Sequence, residues 1–164
     1  MKKYEMTSET KIVNGVTLHR IKALISFGDI HEGDIGGFIE KEENLSNEGN
    51  AWVYGDAEVC SNAWVFGDAE VYGNAWVSGN AWVCGNARVY GDADYLCFKG
   101  LGSENRNTTF FKCKDGHIHV SCGCFSGNIE EFENKVKETH GDNKYAKEYL
   151  ACIQVAKIHF EIDD

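Results

Sequence analysis

The sequence predicts a mostly β chain built around a repetitive solenoid, with a β cap before it and a smaller α+β module after it. Three observations lead to this prediction. The 164 residues contain a strict six-residue repeat, they include 18 glycines but no proline, and Asn-Gly and Asp-Gly turn signals flank the repeat. A hydrophobic share of 43% is too high for a disordered chain and fits a folded one.

The repeat runs from residue 50 to residue 95 and reads Val-x-Gly-[Asn/Asp]-Ala-x. Alanine recurs at every sixth position from Ala51 to Ala93, and valine does so from Val53 to Val89. A period of six fits neither an α-helix nor a long alternating strand, but it fits a solenoid. Each Val-x pair then forms a short strand, each Gly-Asn or Gly-Asp step forms a turn, and one valine and one alanine per unit point inward.

This pattern resembles the hexapeptide repeat of left-handed parallel β-helices, in which three hexads make one triangular coil. The resemblance implies a left-handed β-helix over residues 39–95 with 18 residues per coil. Ile39 and Leu45 lead into the repeat and lie on the alanine frame.

An 18-residue coil stacks the outward side chains on three faces. The first face carries a tyrosine ladder beside Glu70 and Arg88, the second carries Cys60 and Trp76, and the third is aromatic and uncharged. An uncharged aromatic face is either covered by the rest of the chain or meets a partner, and we expect self-association as a dimer or trimer. The expected interface residues are Trp64, Phe66, Trp82 and Cys84 of the third face and Tyr54, Tyr72 and Tyr90 of the first.

Residues 1–38 form the expected N-terminal β cap. Asn14-Gly15 between two alternating runs is a strong signal for a β-hairpin with a two-residue turn. A cap is needed because an open parallel edge at the end of a solenoid invites aggregation.

Residues 96–164 form the expected C-terminal module, a β-hairpin followed by two helices. Asp115-Gly116 predicts a two-residue turn between strands at 108–114 and 117–124. Asn128 with Glu131 forms a capping box, which predicts a first helix that ends at Gly141. The second predicted helix covers residues 144–160.

The predicted hairpin contains cysteine and histidine, the residues that zinc prefers. They are Cys113, His117, His119, Cys122 and Cys124. The two-residue turn pairs Cys113 with Ile118 and Phe111 with Val120, so Thr109, Phe111 and the three cysteines share one apolar face. The histidines then lie on the opposite face, and one ion cannot bind both sets. We therefore expect no metal and expect the thiols to be buried as small hydrophobic groups.

The glycine-rich segment 100–109 is either a flexible link or a ligand-binding loop. Glycine lets the backbone approach a ligand, and Ser, Thr and Arg supply donors that suit a phosphate. The candidate ligand-binding residues are Gly100, Gly102, Ser103, Arg106 and Thr108.

The whole arrangement resembles hexapeptide-repeat proteins of bacteria, phages and prophages. The residues that carry this resemblance are Gly36-Gly37-Phe38-Ile39-Glu40 and Cys122-Gly123-Cys124-Phe125. The fold is best known in acyltransferases, and likeness to them implies a histidine base near the coils with acyl-CoA between the subunits of a trimer. This sequence has no histidine between His31 and His117, and no long loop interrupts the coils. Cys60 and Cys84, on outer faces, have no nearby base in sequence.

We therefore expect no catalytic residue and no cofactor. The predicted function is that of a non-enzymatic, phage- or prophage-associated binding or scaffold protein, whose partner is a host protein or a phosphate-bearing small ligand. Two alternatives stay open: a hexapeptide-type acyltransferase, and a phage counter-defence protein that sequesters a host protein or a nucleotide signal.

Charge and composition limit the partners and the compartment. A formal net charge of −10 argues against direct nucleic-acid binding, which needs a basic face. No apolar run approaches the ~18 residues of a membrane helix, and no apolar signal segment follows Met1. Seven cysteines, an odd number without paired spacing, indicate thiols in a reducing cytoplasm. We expect a cytoplasmic protein that does not bind membranes.

Overall fold

The computed structural model describes residues 2–162 and shows a mostly β chain with two α-helices near its C-terminus. Its internal contacts divide the chain into two compact units, Met1–Asp92 and Ala93–Asp164, which are named here the repeat unit and the C-terminal unit. Within the described range, neither helix has the length and apolar character needed to cross a membrane.

The repeat unit begins with three strands that are longer than those that follow. They are β1 (Tyr4–Val13), β2 (Val16–Ala23) and β3 (Ile35–Ile39). The predicted Asn14-Gly15 turn joins β1 to β2, and the two strands pair antiparallel with Val13 opposite Val16. β2 also pairs antiparallel with β3. β3 in turn pairs in parallel with Glu58–Val59, the first strand of the repeat that belongs to the same sheet.

Seven two-residue strands follow, one in each hexad. They are β4 (Trp52–Val53), β5 (Glu58–Val59), β6 (Trp64–Val65), β7 (Glu70–Val71), β8 (Trp76–Val77), β9 (Trp82–Val83) and β10 (Arg88–Val89). Every pairing among them is parallel and joins residues 18 positions apart, as the predicted coil length requires. Three sheets result, with the orders β1-β2-β3-β5-β8, β4-β7-β10 and β6-β9.

The repeated valines and alanines form the core of this unit. All seven valines from Val53 to Val89 and all alanines from Ala51 to Ala87 are buried, as predicted. Ala93 departs from the pattern and is exposed, because it lies in the short 3₁₀ turn Asp92–Asp94, where the run of two-residue strands has ended.

The start of the repeat differs from the prediction in its frame. Ile39 and Leu45 occupy valine positions rather than alanine positions, since Ile39 pairs with Val59 and Leu45 bridges to Val65. The chain advances eight residues from Leu45 to Val53, whereas it advances six between successive valines later. The two additional residues account for the change of frame.

Three buried polar side chains bind backbone carbonyls at this first edge of the repeat. Lys3 donates from Nζ, Tyr4 from its hydroxyl and Asn44 from Nδ2. Their acceptors are the carbonyl oxygens of Ala51, Leu45 and Ala63, at 2.8, 2.9 and 2.8 Å. Unpaired carbonyls are costly when buried, so these side chains replace the strand that the edge lacks. Burial lowers the pKa of Lys3 from 10.5 to about 8, partly opposed by the charge of Asp68.

The C-terminal unit is a four-stranded antiparallel sheet followed by two helices. The strands are β11 (Tyr95–Leu101), β12 (Arg106–Lys112), β13 (Ile118–Cys122) and β14 (Phe125–Asn128), and the helices are α1 (Ile129–His140) and α2 (Lys144–His159). The helices and the capping box of Asn128 with Glu131 agree with the prediction. The outer strands β11 and β14 were not predicted, because neither shows clear alternation of apolar and polar residues.

The central hairpin has a register one residue away from the predicted one. Lys112 lies opposite Ile118 and Phe111 lies opposite His119, whereas the prediction paired Phe111 with Val120. The Cys113 N–H donates to the carbonyl of His117 at 2.9 Å, which leaves a three-residue loop instead of a two-residue turn. Gly116 takes a positive φ of 88° in that loop, a conformation that glycine adopts without strain.

This register overturns the predicted apolar face. Because side chains alternate across a strand, a shift of one residue exchanges the faces of one strand relative to the other. Thr109, Phe111 and Cys113 therefore do not share a face with Cys122. The face that packs against the helices carries Phe110, Val120 and Cys122, together with Phe132, Val136, Tyr149 and Ile153 of α1 and α2. Cys124 is exposed, which also differs from the prediction.

Candidate functional site

The third face of the repeat unit carries a compact group of aromatic rings. Trp64 and Phe66 stack with their ring centroids 4.0 Å apart, and Trp64 meets Trp82 edge to face at 5.8 Å. The two tryptophans lie opposite each other because β6 pairs with β9. Trp64 remains 37% exposed and Trp82 41%, so their mutual contact does not remove this face from water.

The first face carries the predicted tyrosine ladder. Tyr54 stacks on Tyr72 at 4.1 Å, and Tyr72 stacks on Tyr90 at 4.9 Å. Beside the ladder, Arg88 Nε lies 3.2 Å from Glu70 Oε2, as one rung of separation predicts. Burial, followed by the hydrogen bond with Tyr72, raises the pKa of Tyr54 above its usual range. Tyr90 is more than half exposed and ends the ladder in solvent.

The two cysteines that were placed on outer faces, Cys60 and Cys84, are both buried. Cys60 packs with Leu18 of β2 and Phe38 of β3, so the N-terminal strands cover it. Its sulfur accepts a hydrogen bond from Trp76 Nε1 at 3.2 Å. Neither thiol is therefore placed on the outer surface as an accessible nucleophile.

The segment 100–109 forms the end of a hairpin rather than a flexible link. Gly100 and Gly102 both have positive φ, but a Cβ on Gly102 would lie 2.4 Å from the hydroxyl of Tyr149. Glycine is required there by a side chain of the same unit. Thr108 is fully buried and donates its hydroxyl to Cys122 Sγ at 3.1 Å, so it does not face a cavity.

The remaining two candidates, Ser103 and Arg106, line a cavity of about 290 Å³ between the hairpin end and α1. Lys135 and His140 of α1 line the same cavity, and Tyr149 of α2 closes one side of it. His140 stacks on the Tyr149 ring at 5.7 Å. The structure thus adds two basic side chains to the two candidates that the sequence identified.

The electrostatics of this cavity contrast with those of the chain. Arg106 and Lys135 contribute two permanent positive charges, and Glu104 contributes one negative charge, in a chain with a formal charge of −10. Lys135 also binds Glu138 at 2.8 Å, and that hydrogen bond raises the pKa of Lys135. Burial raises the pKa of the Tyr149 hydroxyl, which donates a hydrogen bond to the Leu101 carbonyl at 3.3 Å. The donors that this lining offers an anion are therefore those of Arg106, Lys135 and Ser103.

Sequence reasoning missed Lys135 and His140 because nothing in the helical pattern indicates which end of the sheet α1 meets. A signal was present in part: Asn128, the last residue of β14, is also the N-cap of α1, so the helix follows the strand that pairs with β13 without a loop. That short connection places the helix beside the hairpin that holds Arg106.

The second arrangement in the C-terminal unit is a group of side chains of the types that bind metals. It lies at the loop of residues 114–116, which joins β12 to β13. One ligand atom from each of Cys113, His117 and His119 lies within 4.8 Å of the other two. His117 Nδ1 contacts Asp115 Oδ1, and His119 Nε2 lies 2.7 Å from Ser126 Oγ. Burial and the nearby charge of His117 lower the pKa of His119. The face argument against a shared site was therefore wrong for these three residues.

A second, larger cavity of about 590 Å³ adjoins this group. His117 and Gly116 line it from the hairpin loop, and Glu130, Glu133 and Lys157 line it from the helices. Of the three grouped residues, His117 is the one that lines this cavity, and its side chain is exposed.

Comparison with known proteins shows a similarity over part of the chain. A stretch of 62 residues is 34% identical to a protein of Escherichia coli named uncharacterized acetyltransferase YdcK. The match covers 33% of this chain and 19% of that relative, so it spans about a fifth of the relative's length. No protein-family model matches the chain. The chain is thus similar to part of a protein that is named as an acetyltransferase.

Proposed function

We propose that this chain is a binding protein that holds a small phosphate-bearing ligand in the cavity lined by Arg106. In this proposal residues 39–95 form a left-handed parallel β-helix, residues 1–38 cap it, and residues 96–164 carry the ligand. The observation that carries the proposal is the convergence of Arg106, Lys135 and His140 on one cavity.

The chemistry of these side chains selects the ligand class. A guanidinium binds two phosphate oxygens with its planar pair of N–H donors, and a lysine adds a compact charge. Ser103 supplies a hydroxyl donor on the same lining. A volume of about 290 Å³ suits a phosphate or a mononucleotide-sized molecule and is small for a dinucleotide.

Thermal shift followed by calorimetry tests this proposal with three probes: inorganic phosphate, pyrophosphate and AMP. We expect at least one probe to raise the melting temperature. Arg106→Ala should weaken its binding at least tenfold, about 1.4 kcal/mol, and leave the melting temperature of the unliganded protein nearly unchanged, because Arg106 is exposed.

Lys137→Ala is the matched control, since Lys137 lies on the same helix but pairs with Glu133 outside this cavity. It should bind the probe as the unmutated protein does. Absence of any shift with all three probes, or equal binding by Arg106→Ala, would show that the cavity does not hold a phosphate-bearing ligand.

We also propose that the repeat unit self-associates through its third face, as a dimer or trimer. The exposed pair Trp64 and Trp82, with Phe66 stacked beside them, supports a second copy as the occupant. The face bears no charge, so two identical faces meet without like-charge repulsion. The tyrosine ladder that ends in Tyr90 extends this expectation to the first face.

Light scattering at micromolar concentration tests self-association. We expect two or three times the 18.3 kDa chain mass, and a monomer for the double variant Trp64→Glu with Trp82→Glu. Trp76→Glu is the control, because Trp76 is equally exposed but lies on the second face. An 18.3 kDa species for the unmutated protein would rule the interface out.

A hexapeptide-type acyltransferase is the second candidate function, and the match to part of a protein named as an acetyltransferase favours it. That function needs a histidine as general base near the coils. Of the two histidines before the repeat, the His19 ring lies 3.3 Å from the Thr7 carbonyl oxygen, and His31 lies beside Asp34. Release of free CoA from acetyl-CoA, with amine or hydroxyl acceptors, separates the two functions. The binding proposal predicts no release of free CoA. The phage association and the counter-defence role stay predictions from resemblance.

A further inference from the structure

We propose that the C-terminal unit binds one Zn²⁺ ion through the sulfur of Cys113 and one ring nitrogen each of His117 and His119, with water as the fourth ligand. This site lies in the hairpin loop region, apart from the Arg106 cavity, and the inference does not depend on the proposed ligand.

The hairpin register is what brings the three side chains together. His119 lies opposite Phe111, and the two rings stack at 5.2 Å, so His119 occupies the same face as Phe111 and Cys113. His117 follows the three-residue loop and is joined to Cys113 by a backbone hydrogen bond of 2.9 Å. The ring centroids of His117 and His119 are 6.1 Å apart. The spacing Cys-x3-His-x-His is therefore compatible with a single centre.

The distances require a small adjustment to hold zinc. The ligand atoms lie within 4.8 Å of one another. Bonds of about 2.0–2.1 Å to nitrogen and 2.3 Å to sulfur place tetrahedral ligands roughly 3.3–3.6 Å apart. Closing the group by about 1 Å needs rotation of side chains, and His117 is exposed at the end of a strand where its ring can turn.

Neighbouring polar groups already orient both imidazoles. Asp115 contacts His117 at Nδ1, which leaves Nε2 of that ring for a metal. Ser126 lies 2.7 Å from His119 Nε2, which leaves Nδ1 of that ring. Carboxylate and hydroxyl partners of this kind fix the ring orientation of metal-binding histidines. Asp115 and Ser126 would be positioning residues, not ligands.

The donor set selects the metal. A thiolate with two imidazoles favours zinc over the oxygen-seeking magnesium and calcium. Three protein ligands leave one coordination position for water, and the exposed side chain of His117 keeps this end of the group in contact with solvent. Cys122, the other buried cysteine of the predicted motif, lies on the opposite face against Tyr149 and takes no part.

Cobalt substitution tests the site on the full chain. Metal-free protein titrated with Co²⁺ should bind one equivalent and develop a thiolate-to-cobalt charge-transfer band together with the visible bands of tetrahedral cobalt. One equivalent of Zn²⁺ should remove both. Cys113→Ser should abolish the charge-transfer band, and His117→Asn should weaken Co²⁺ binding at least tenfold.

His117→Asn keeps the test valid if Cys113→Ser fails to fold, because the His117 side chain is exposed. His140→Asn and Cys122→Ser are the controls, and both should bind Co²⁺ with an unchanged spectrum. No charge-transfer band at one equivalent of Co²⁺, its persistence in Cys113→Ser, or its loss in Cys122→Ser would overturn the proposed site.

Discussion

In the repeat unit each short strand pairs with strands 18 residues away, whereas in the C-terminal unit every strand pairs with its neighbour in sequence. The repeat unit fixes its register many times over, since each coil repeats the same valine and alanine contacts. The C-terminal hairpin fixes its register once, at the loop of residues 114–116. A single loop residue therefore decides which side chains share a face there.

The difference also separates structure from chemistry. Each hexad of the repeat buries one valine and one alanine. The side chains that differ between hexads point outward, and most of them are aromatic. The C-terminal unit, which has no repeat, brings residues of different types together: Arg106 with Lys135, and Cys113 with two histidines. Both proposed ligand sites consequently lie in residues 93–164, and the proposed self-association lies in residues 1–92.

The largest expected effect is on the close stacking of the repeat unit. A Cβ on Gly37 would lie 2.6 Å from the Ala57 carbonyl oxygen and 2.7 Å from Val53 Cγ1. Gly37→Ala should therefore lower the free energy of unfolding of this unit by about 3 kcal/mol. All four tryptophans lie in the repeat unit, so urea unfolding followed by tryptophan fluorescence reports on it alone.

Gly91→Ala is the matched control, because a Cβ there meets no atom within 4 Å and φ is not positive. Its fluorescence transition should move little. Equal midpoints for Gly37→Ala and the unmutated protein would mean that β3 does not approach the repeat this closely.

The next effect concerns the edge where Lys3 binds backbone carbonyls. The pKa of Lys3 is about 8 in the folded state and 10.5 in its ordinary range, so between these values the unfolded chain binds the extra proton. Stability should rise with pH across that window relative to Lys3→Met, by about 1–3 kcal/mol. Urea unfolding of both proteins at several pH values from 7.5 to about 10 measures the difference.

Lys2→Met provides the comparison, since Lys2 is an exposed neighbour of Lys3. Because Lys2→Met keeps the Lys3 amine, its stability should rise with pH across this window as that of the unmutated protein does. A constant difference between Lys3→Met and the unmutated protein would show that the Lys3 amine is not desolvated at this edge.

The smallest perturbation is thiol labelling, which tests the faces of the C-terminal hairpin without a mutation. Cys124 is exposed, whereas Cys113 and Cys122 are buried on opposite faces. Cys124 should react with a thiol reagent at least tenfold faster than either of the other two, and mass spectrometry of digested protein identifies the site. Uniform reactivity in the native state would contradict the observed burial.

The sequence predicted the elements that depend on local or repeated signals. The buried valines, the Asn14-Gly15 turn and the Asn128 helix cap all agree with the structure. Each is specified by a periodic pattern or by residues a few positions apart. The tyrosine ladder and the Glu70–Arg88 pair followed from the same period.

The remaining features depend on contacts or on one loop length that the sequence leaves open. Asp115-Gly116 is compatible with both a two-residue turn and a three-residue loop, and the wrong choice separated Cys113 from His117. Ser103 and Arg106 were identified from their donors, but Lys135 joins them only through the packing of α1 on the sheet. Cys60 is buried because β2 and β3 cover it, a tertiary contact with no local signal.

The division of roles between the two units is tested most directly by NMR mapping of ligand binding on the ¹⁵N-labelled chain. Titration with AMP and with inorganic phosphate should shift amide signals of residues 102–106, 122–125 and 132–140. Signals of residues 50–92 should stay in place, both in the unmutated protein and in Arg106→Ala. Shifts confined to residues 50–92 would place ligand binding on the coils, as in the acyltransferase alternative, and would contradict the proposed role of the C-terminal unit.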